Sequence, residues 1–588
     1  MSTYAAEVAK STRKHFTAVE IDLERCALVY GSATCGAILG TTGTSKCYNT
    51  KATCQRRANY TQTANGYTGR TTTFRFTDQE VVPYGSTPVV QRAMLKSVSF
   101  VPGRIDLGGS TIGQRSGCTF ELYDGTGDDV QMDDYAGERR VNYDTGFFLA
   151  KMIARWRYFQ NRRVRVYQGF LDDWGQVDVS TLKVRTYVVD KVTGPDGSGK
   201  VTVVAKDPLR LTAKERSQYP EATKCALTVA ATNVATSLTV DDTSALDASG
   251  FIRIESEIIQ YSGKTSTTIT GCTRGVAGTT AAAHSVGQNC QRTVWFNATD
   301  AVEVLYTILT SAGISTSFID KAAWHTACDD WIELGVITAY VSKPEDVDKL
   351  AAQICEAWLL ILYYDDETGL VKLEPVRPPS AGEVTALTDD DSIVEGKLST
   401  SEKTDQRVNE IWFGYGVTNW TDDLKIENLS NLRITVSTDA QSANEYGDSV
   451  PRQILSRWLG TTSDSQVLAV STRYILRFRD APRRYQFTVD ASTQLKLGSF
   501  VTVSVAHIQD ASGNRLTRGM RIIELAPAAS GTQLVVTAED DFFQGRYGFF
   551  TTDTADDFTG NATLDAGDGF FCSDYDVMPD GSDPYRFA

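Results

Sequence analysis

Apolar and polar positions alternate with a period of two along much of this chain, the pattern of strands that bury one face. Lys183 to Val192 and Lys200 to Lys206 show it, and Gly194-Pro195-Asp196-Gly197-Ser198-Gly199 between them supplies the turn of a hairpin. A second hairpin joins Phe500 to Val505 with the strand near Arg521 to Glu524 through Asp510-Ala511-Ser512-Gly513-Asn514. Runs of Val, Ile, Thr and Tyr broken by Gly, Asp and Asn continue this pattern elsewhere. They predict a mainly β chain with some α, an α+β multidomain protein of several barrels or sandwiches with packed helices.

Three segments change to helical spacing. The first runs from Phe147 to Phe159 and places Leu149, Met152, Ile153 and Trp156 on one stripe. A second starts near Asp300, carries Val302, Leu305, Ile308 and Leu309, and stops at Gly313. The third opens Ser342-Lys343-Pro344-Glu345, a capping box with Pro at the first helical position, and lines up Val347, Leu350, Ile354 and Trp358.

Length changes the picture first. A chain of 588 residues exceeds what one core serves. Hydrophobic residues at 41% and aromatic residues at 10% argue against disorder. The 73 acidic and 58 basic side chains give a net charge of -15, the wrong sign for gripping phosphates but suited to a wall past which DNA slides. The polar start of the chain and the lack of long uncharged apolar runs predict neither a signal peptide nor a transmembrane helix. Eleven cysteines, an odd number, argue against a general disulfide framework in a chain expected to be made in a cytoplasm.

Four of those cysteines, Cys26, Cys35, Cys47 and Cys54, crowd into one Gly- and Thr-rich segment. Thiolates on such a backbone can converge on zinc or take the corners of an iron–sulfur cluster. The spacings are not CxxC, so the residues alone leave open zinc, an iron–sulfur cluster, two disulfides or four buried thiols. The remaining chemistry is sparse. His15, His284, His325 and His507 have no triad partners at a suggestive spacing, and no HExxH frame supports His325 beside Cys328, Asp329 and Asp330. The acidic groups Asp128-Asp129 with Asp133-Asp134, Asp389-Asp390-Asp391, and Asp553 with Asp556-Asp557 fit no EF-hand frame and read as solvated loops. Cys118, Cys225, Cys328, Cys355 and Cys572 show no partner in sequence, and Cys272 and Cys290 read as free thiols.

The stretch Cys26-Ala27-Leu28-Val29-Tyr30-Gly31 with Cys35, followed by Gly43-Thr44-Ser45-Lys46-Cys47-Tyr48-Asn49-Thr50-Lys51-Ala52-Thr53-Cys54-Gln55 and Asn59-Tyr60, resembles the cysteine signature of phage tail hub proteins related to those of gene transfer agents and of the lambda-type tail tip. The resemblance extends through Pro102-Gly103-Arg104-Ile105-Asp106-Leu107-Gly108 and Arg163-Val164-Arg165-Val166-Tyr167-Gln168-Gly169. Glu257-Ile258-Ile259-Gln260-Tyr261 and Gly271-Cys272-Thr273-Arg274-Gly275 are similar to a small module recurring in virion proteins. The C-terminal Arg546-Tyr547-Gly548-Phe549-Phe550 is similar to the family's tail.

This resemblance implies Cys26, Cys35, Cys47 and Cys54 as ligands of an iron–sulfur cluster of the 4Fe-4S type, with zinc as the alternative. It implies a division into a four-cysteine region over 1–90, a hub β-barrel over 91–224, an inserted β module over 225–293, an α+β hub domain over 294–395, a second hub barrel over 396–545 and a C-terminal extension over 546–588. It further implies a structural virion protein without catalytic residues, a homotrimer at the distal tail end. Its partners would be the distal tail protein, the tail tube and the central fibre or receptor-binding proteins, with genomic DNA passing through the lumen and no stable membrane anchoring. The alternatives are a tail-borne hydrolase of the cell envelope and a receptor-binding protein.

Overall fold

The computed structural model describes residues 10, 14–38, 47–61, 70–80, 82–84, 90–108, 112–126, 131–135, 146–178, 182–212, 217–332, 336–380, 382–394, 397–437, 449–527 and 532–541. The C-terminal extension expected over 546–588 lies outside them, as does Cys572.

The first sheet has eight strands. Their order is Gln91–Arg92, Thr71–Thr77, Lys14–Glu24, Arg163–Leu171, Lys183–Thr193, Lys200–Lys206, Gly117–Tyr123 and Leu95–Val101. Period-two alternation gives its centre two different faces. Val19, Ile21 and Leu23 turn inward with Phe74, Phe76, Val164 and Val166, and the helix Phe148–Arg155 covers them with Leu149 and Met152. Glu20 and Asp22, equally buried, take the other face and meet arginines of the neighbouring strands. Arg75 reaches Glu20 at 2.6 Å, Arg165 reaches Glu20 at 2.8 Å and Asp22 at 2.9 Å, and Arg163 reaches Asp22 at 2.9 Å. Strand Lys14–Glu24, which leads into the cysteine segment, is therefore gripped on both sides.

The last sheet runs Val384–Thr388, Phe500–Gln509, Arg515–Pro527, Gln533–Asp540, Arg483–Asp490, Ser399–Glu402 around a core of Phe487, Val501, Val503, Ile522 and Val536. The two sheets are joined directly. Ile105 N donates to Ile523 O at 2.8 Å, and the Arg104 Nε donates to Glu524 at 2.6 Å. Between them lies the largest core, built by helices Ala301–Ser311, Lys321–Ile332, Val347–Trp358 and Asp464–Phe478 with the hairpin Leu360–Asp365/Leu370–Pro375.

The fold is mainly β with few helices, as the alternation predicts. The expected barrels appear instead as open sheets among the described residues, because the strands at the two ends of each sheet do not pair with each other. Both predicted hairpins form. The third predicted helix starts later than its capping box. Asp346 is its N-cap, while Glu345–Asp346 pairs as a short strand with Gln218–Tyr219 and Glu345 binds Arg457. Arg457 and the strand contact outcompete the local cap. The inserted module is not a bead on a hinge: strand Gln291–Asp300 pairs through residues 291–293 with the module's Gly250–Ile254 and through residues 294–300 with Val336–Val341 of the α+β body. Gly278 seats the module on that body, since at φ +75° an added Cβ would lie 1.8 Å from the Thr418 carbonyl oxygen.

Removing one acid from the double-sided strand leaves buried guanidinium charge uncompensated. Glu20→Ala is expected to cost roughly 3–5 kcal/mol of stability, read from the denaturation midpoint of the first sheet; a loss below about 1 kcal/mol, the range of an exposed pair, would refute the buried ladder. Asp207 gives a pH test. Burial pushes its carboxyl up to about 6, although Ser116 N donates to it at 2.6 Å. Because the folded value lies above the unfolded one, the native state holds this proton longer, and the group's contribution to stability is lost as pH rises from about 4 to 6. The stability of wild type relative to Asp207→Asn should therefore fall between pH 4.5 and 6.5, measured by urea unfolding at both.

Candidate metal centre

Residues 25–70 connect two neighbouring antiparallel strands, Lys14–Glu24 and Thr71–Thr77. A hairpin connection of that length with one described 3-10 turn, Arg57–Asn59, is the kind of loop that carries function rather than merely turning the chain. All four predicted cysteines lie on it, Cys26 and Cys47 buried, Cys35 and Cys54 half-buried.

Each cysteine is held by its own local device. Cys26 follows the strand directly, and its N–H donates to Asn49 O at 2.7 Å, which joins the first cysteine segment to the second. Cys35 ends a turn in which its N–H donates to Ser32 Oγ at 3.3 Å and its carbonyl accepts from Asn59 Nδ2 at 3.0 Å. Gly36 beside it has φ +68°, and a Cβ there would meet Asn59 Nδ2 at 2.9 Å. The Cys47 sulfur accepts the Asn49 N–H at 3.4 Å, with Asn49 in the left-handed region at φ 57°. The Cys54 sulfur accepts the Arg56 N–H in the same i to i+2 manner.

Electrostatics bring three of these sulfurs into one site. Burial raises the Cys54 thiol above its usual value, and the proximity of Cys26 and Cys35 raises it further. The Tyr60 hydroxyl is pushed up to about 12 by burial, then by Glu24, Cys26 and Cys54. Burial and the two neighbouring sulfurs disfavour the Cys54 thiolate, and a cation among them would offset that. Arg25 adds to this. Its guanidinium is 5% exposed, its Nε and Nη2 have no hydrogen-bond partner among the described residues, and burial lowers its pKa despite Asp134. Arg25, next in sequence to Cys26, thus anchors the start of the cysteine loop through Asp134 and the Trp156 ring.

The loop is closed at its neck. Arg25 N donates to Arg70 O at 2.8 Å, and both guanidinium groups bind Asp134 of the segment 131–135. Asp134 also accepts from Asn49 Nδ2 at 2.9 Å, and the neighbouring Tyr135 hydroxyl accepts from Tyr30 N at 2.8 Å. Sequence reasoning placed Asp134 among solvated acids. Its role depends on a contact between distant segments that no local pattern signals.

No three of the four sulfurs lie within 4.8 Å of one another. One zinc ion with Zn–S of about 2.3 Å needs its four sulfurs roughly 4 Å apart, whereas a multi-iron cluster binds each thiolate through a separate iron. Four thiols on one loop supply a donor set that either group could take.

Among the described residues one group does meet the 4.8 Å spacing: Asp300, His325 and Asp329. Asp300 Oδ1, however, caps the helix Ala301–Ser311 by accepting from Val302 N at 2.7 Å. His325 Nδ1 lies 3.0 Å from Asp329 and Nε2 lies 3.5 Å from Glu303, which binds Lys321 at 2.8 Å. A resident ammonium and a capping carboxylate make this a surface ion-pair network.

No protein-family model and no curated protein sequence matches the chain. Among solved structures, the 43 kDa tail protein of prophage MuSo2 from Shewanella oneidensis is 11% identical with a TM-score of 0.35, over 76% of this chain and 92% of that one. The tail protein from Neisseria meningitidis MC58 is 9% identical with a TM-score of 0.33, over 76% and 92%. Prophage tail protein gp18 from Listeria monocytogenes EGD-e is 9% identical with a TM-score of 0.31, over 74% and 89%.

Asp134→Ala should release the neck. Tryptic cleavage after Arg56 or Arg57 in the native protein is expected to accelerate by at least about tenfold, the effect of losing roughly 1.4 kcal/mol of closure. An unchanged cleavage rate would remove Asp134 from this role.

Proposed function

We propose that the chain is a structural hub or tip protein at the distal end of a long bacteriophage tail, in which Cys26, Cys35, Cys47 and Cys54 hold an iron–sulfur cluster of the 4Fe-4S type. The observation that carries this reading is the four-cysteine loop itself: a sequence signature resembling that of tail hub proteins, on a loop that brings four thiols and an N–H donor to the Cys47 sulfur. When bound, the cluster supplies four covalent cross-links to a segment poor in apolar residues, so that ligand binding becomes folding energy. The protein's own part is to present the sulfurs, to donate Asn49 and Arg56 N–H groups to two of them, and to keep the neck shut through Asp134.

In this role the chain assembles as a homotrimer between the tail tube or distal tail protein and the central fibre or receptor-binding proteins. It gates the lumen through which genomic DNA passes. It acts without catalysis and without anchoring in a membrane. Among the described residues no helix is long and apolar enough to span a bilayer.

Two measurements test the reading. Anaerobically purified wild type should be brown, with a broad visible absorption band and stoichiometric iron and sulfide, and Cys47→Ser should lose both colour and iron. Stoichiometric zinc in a colourless protein would overturn the cluster while keeping the site. Antibody labelling of intact tails in the electron microscope should mark the distal tip, and label along the tube or absent from tails would overturn the hub assignment. Cleavage of cell-wall glycan by the purified chain would favour the hydrolase reading instead.

A further inference from the structure

Cys225 and Cys290 stand where the chain enters and leaves the inserted module. Cys290 N donates to Cys225 O at 2.7 Å, Ala226 and Asn289 form an antiparallel bridge, and Leu227 N donates to Gln288 O at 2.9 Å. Cys225 and Cys290 are thus opposed across an antiparallel pair with their side chains on one face. Opposed, hydrogen-bonded residues of such a pair have Cα atoms about 5.5 Å apart, inside the window of roughly 4.4–6.8 Å that a disulfide spans. The two thiols face one another closely enough to influence each other's proton affinity. Both sit in the module's core, 2% and 0% exposed. Cys272 of the same core points its sulfur at Ile269 O, 3.8 Å away.

We propose that Cys225 and Cys290 are a disulfide-forming pair, a redox modification site that closes the neck of the inserted module when a small peroxide is the oxidant. The Cys225 thiolate attacks hydrogen peroxide and breaks its O–O bond, leaving a sulfenic acid on Cys225, and the departing hydroxide takes up the proton that Cys225 released and leaves as water. The Cys290 sulfur then attacks the Cys225 sulfur, the S–O bond breaks, and a second water leaves with the Cys290 proton. Two thiols are oxidised to one disulfide as one peroxide is reduced to two waters. The interaction of the two thiols lowers Cys225 and, with burial, raises Cys290, which supports Cys225 as the attacking sulfur. Burial also shields the finished bond from bulky thiol reductants while the module stays folded.

The test uses the full chain in native buffer, fully reduced and then treated with hydrogen peroxide, unfolded in an alkylating reagent and digested without reductant. The expected result is a linked pair of peptides carrying Cys225 and Cys290, lighter by two hydrogens than the separate thiol peptides and split by dithiothreitol. Cys290→Ser should then leave Cys225 as a sulfenic acid that dimedone traps. The proposal is overturned if both cysteines of treated wild type still take up the alkylating reagent, if either is linked to a different cysteine, or if Cys225 proceeds to sulfinic acid with Cys290 free. The wild-type peptide map decides the matter even if the variant fails to fold.

Discussion

One carboxylate holds the two ends of the cysteine loop together. Arg25 opens the loop and Arg70 closes it, and Asp134 binds both, so the segment acquires a fixed neck. The placement of the thiols follows from that closure. Asn49, held by Asp134 and Tyr135, sets the Cys47 turn and accepts the Cys26 N–H, so the same few hydrogen bonds fix the neck and two of the four sulfurs. Exposed ion pairs contribute little, but the Arg25 side chain is 3% exposed, and a buried guanidinium without its partner is costly.

The neck depends in turn on the sheet beneath it. Strand Lys14–Glu24 alternates apolar residues packed under the helix Phe148–Arg155 with acids engaged by Arg75, Arg163 and Arg165. Neither face is free to solvent, which explains why the strand that delivers Cys26 can serve as a rigid base. Trp156 ties the two parts together, since its indole N–H donates to Glu24 O at 3.0 Å and its ring stacks on Arg25. The buried sheet, the short helix and the cysteine loop form one mechanical unit.

Much of this architecture is legible in residue order because it is local. The apolar stripes Val302-Leu305-Ile308-Leu309 and Val347-Leu350-Ile354-Trp358 are buried as their spacing predicts. The helix Asp464–Phe478 is harder to read. Val467, Val470, Tyr474, Ile475 and Phe478 lie at helical spacing, but the Val, Ser and Thr among them suit a strand equally well. The helix Lys321–Ile332 has only a weak apolar face, and it becomes a helix because Trp324 and Cys328 pack into the central core. Sequence placed the four cysteines together on one loop. It did not reveal the partners that organise them, Asp134 and Tyr135, nor the opposition of Cys225 and Cys290, because these contacts join segments far apart in the chain.

The inserted module shares hydrogen bonds with its host. Gly250–Ile254 pairs with Gln291–Asp300, the same strand that pairs through residues 294–300 with Val336–Val341. Excising the module would not restore a simpler ancestor-like body. It would remove residues 291–293 with their partner strand and strip Phe251 from the stacked Trp295 and Tyr340, uncovering an aromatic face for another chain to cover. Once such an insertion has covered an aromatic face, losing it carries an aggregation penalty, and that asymmetry favours its retention whatever the module itself does.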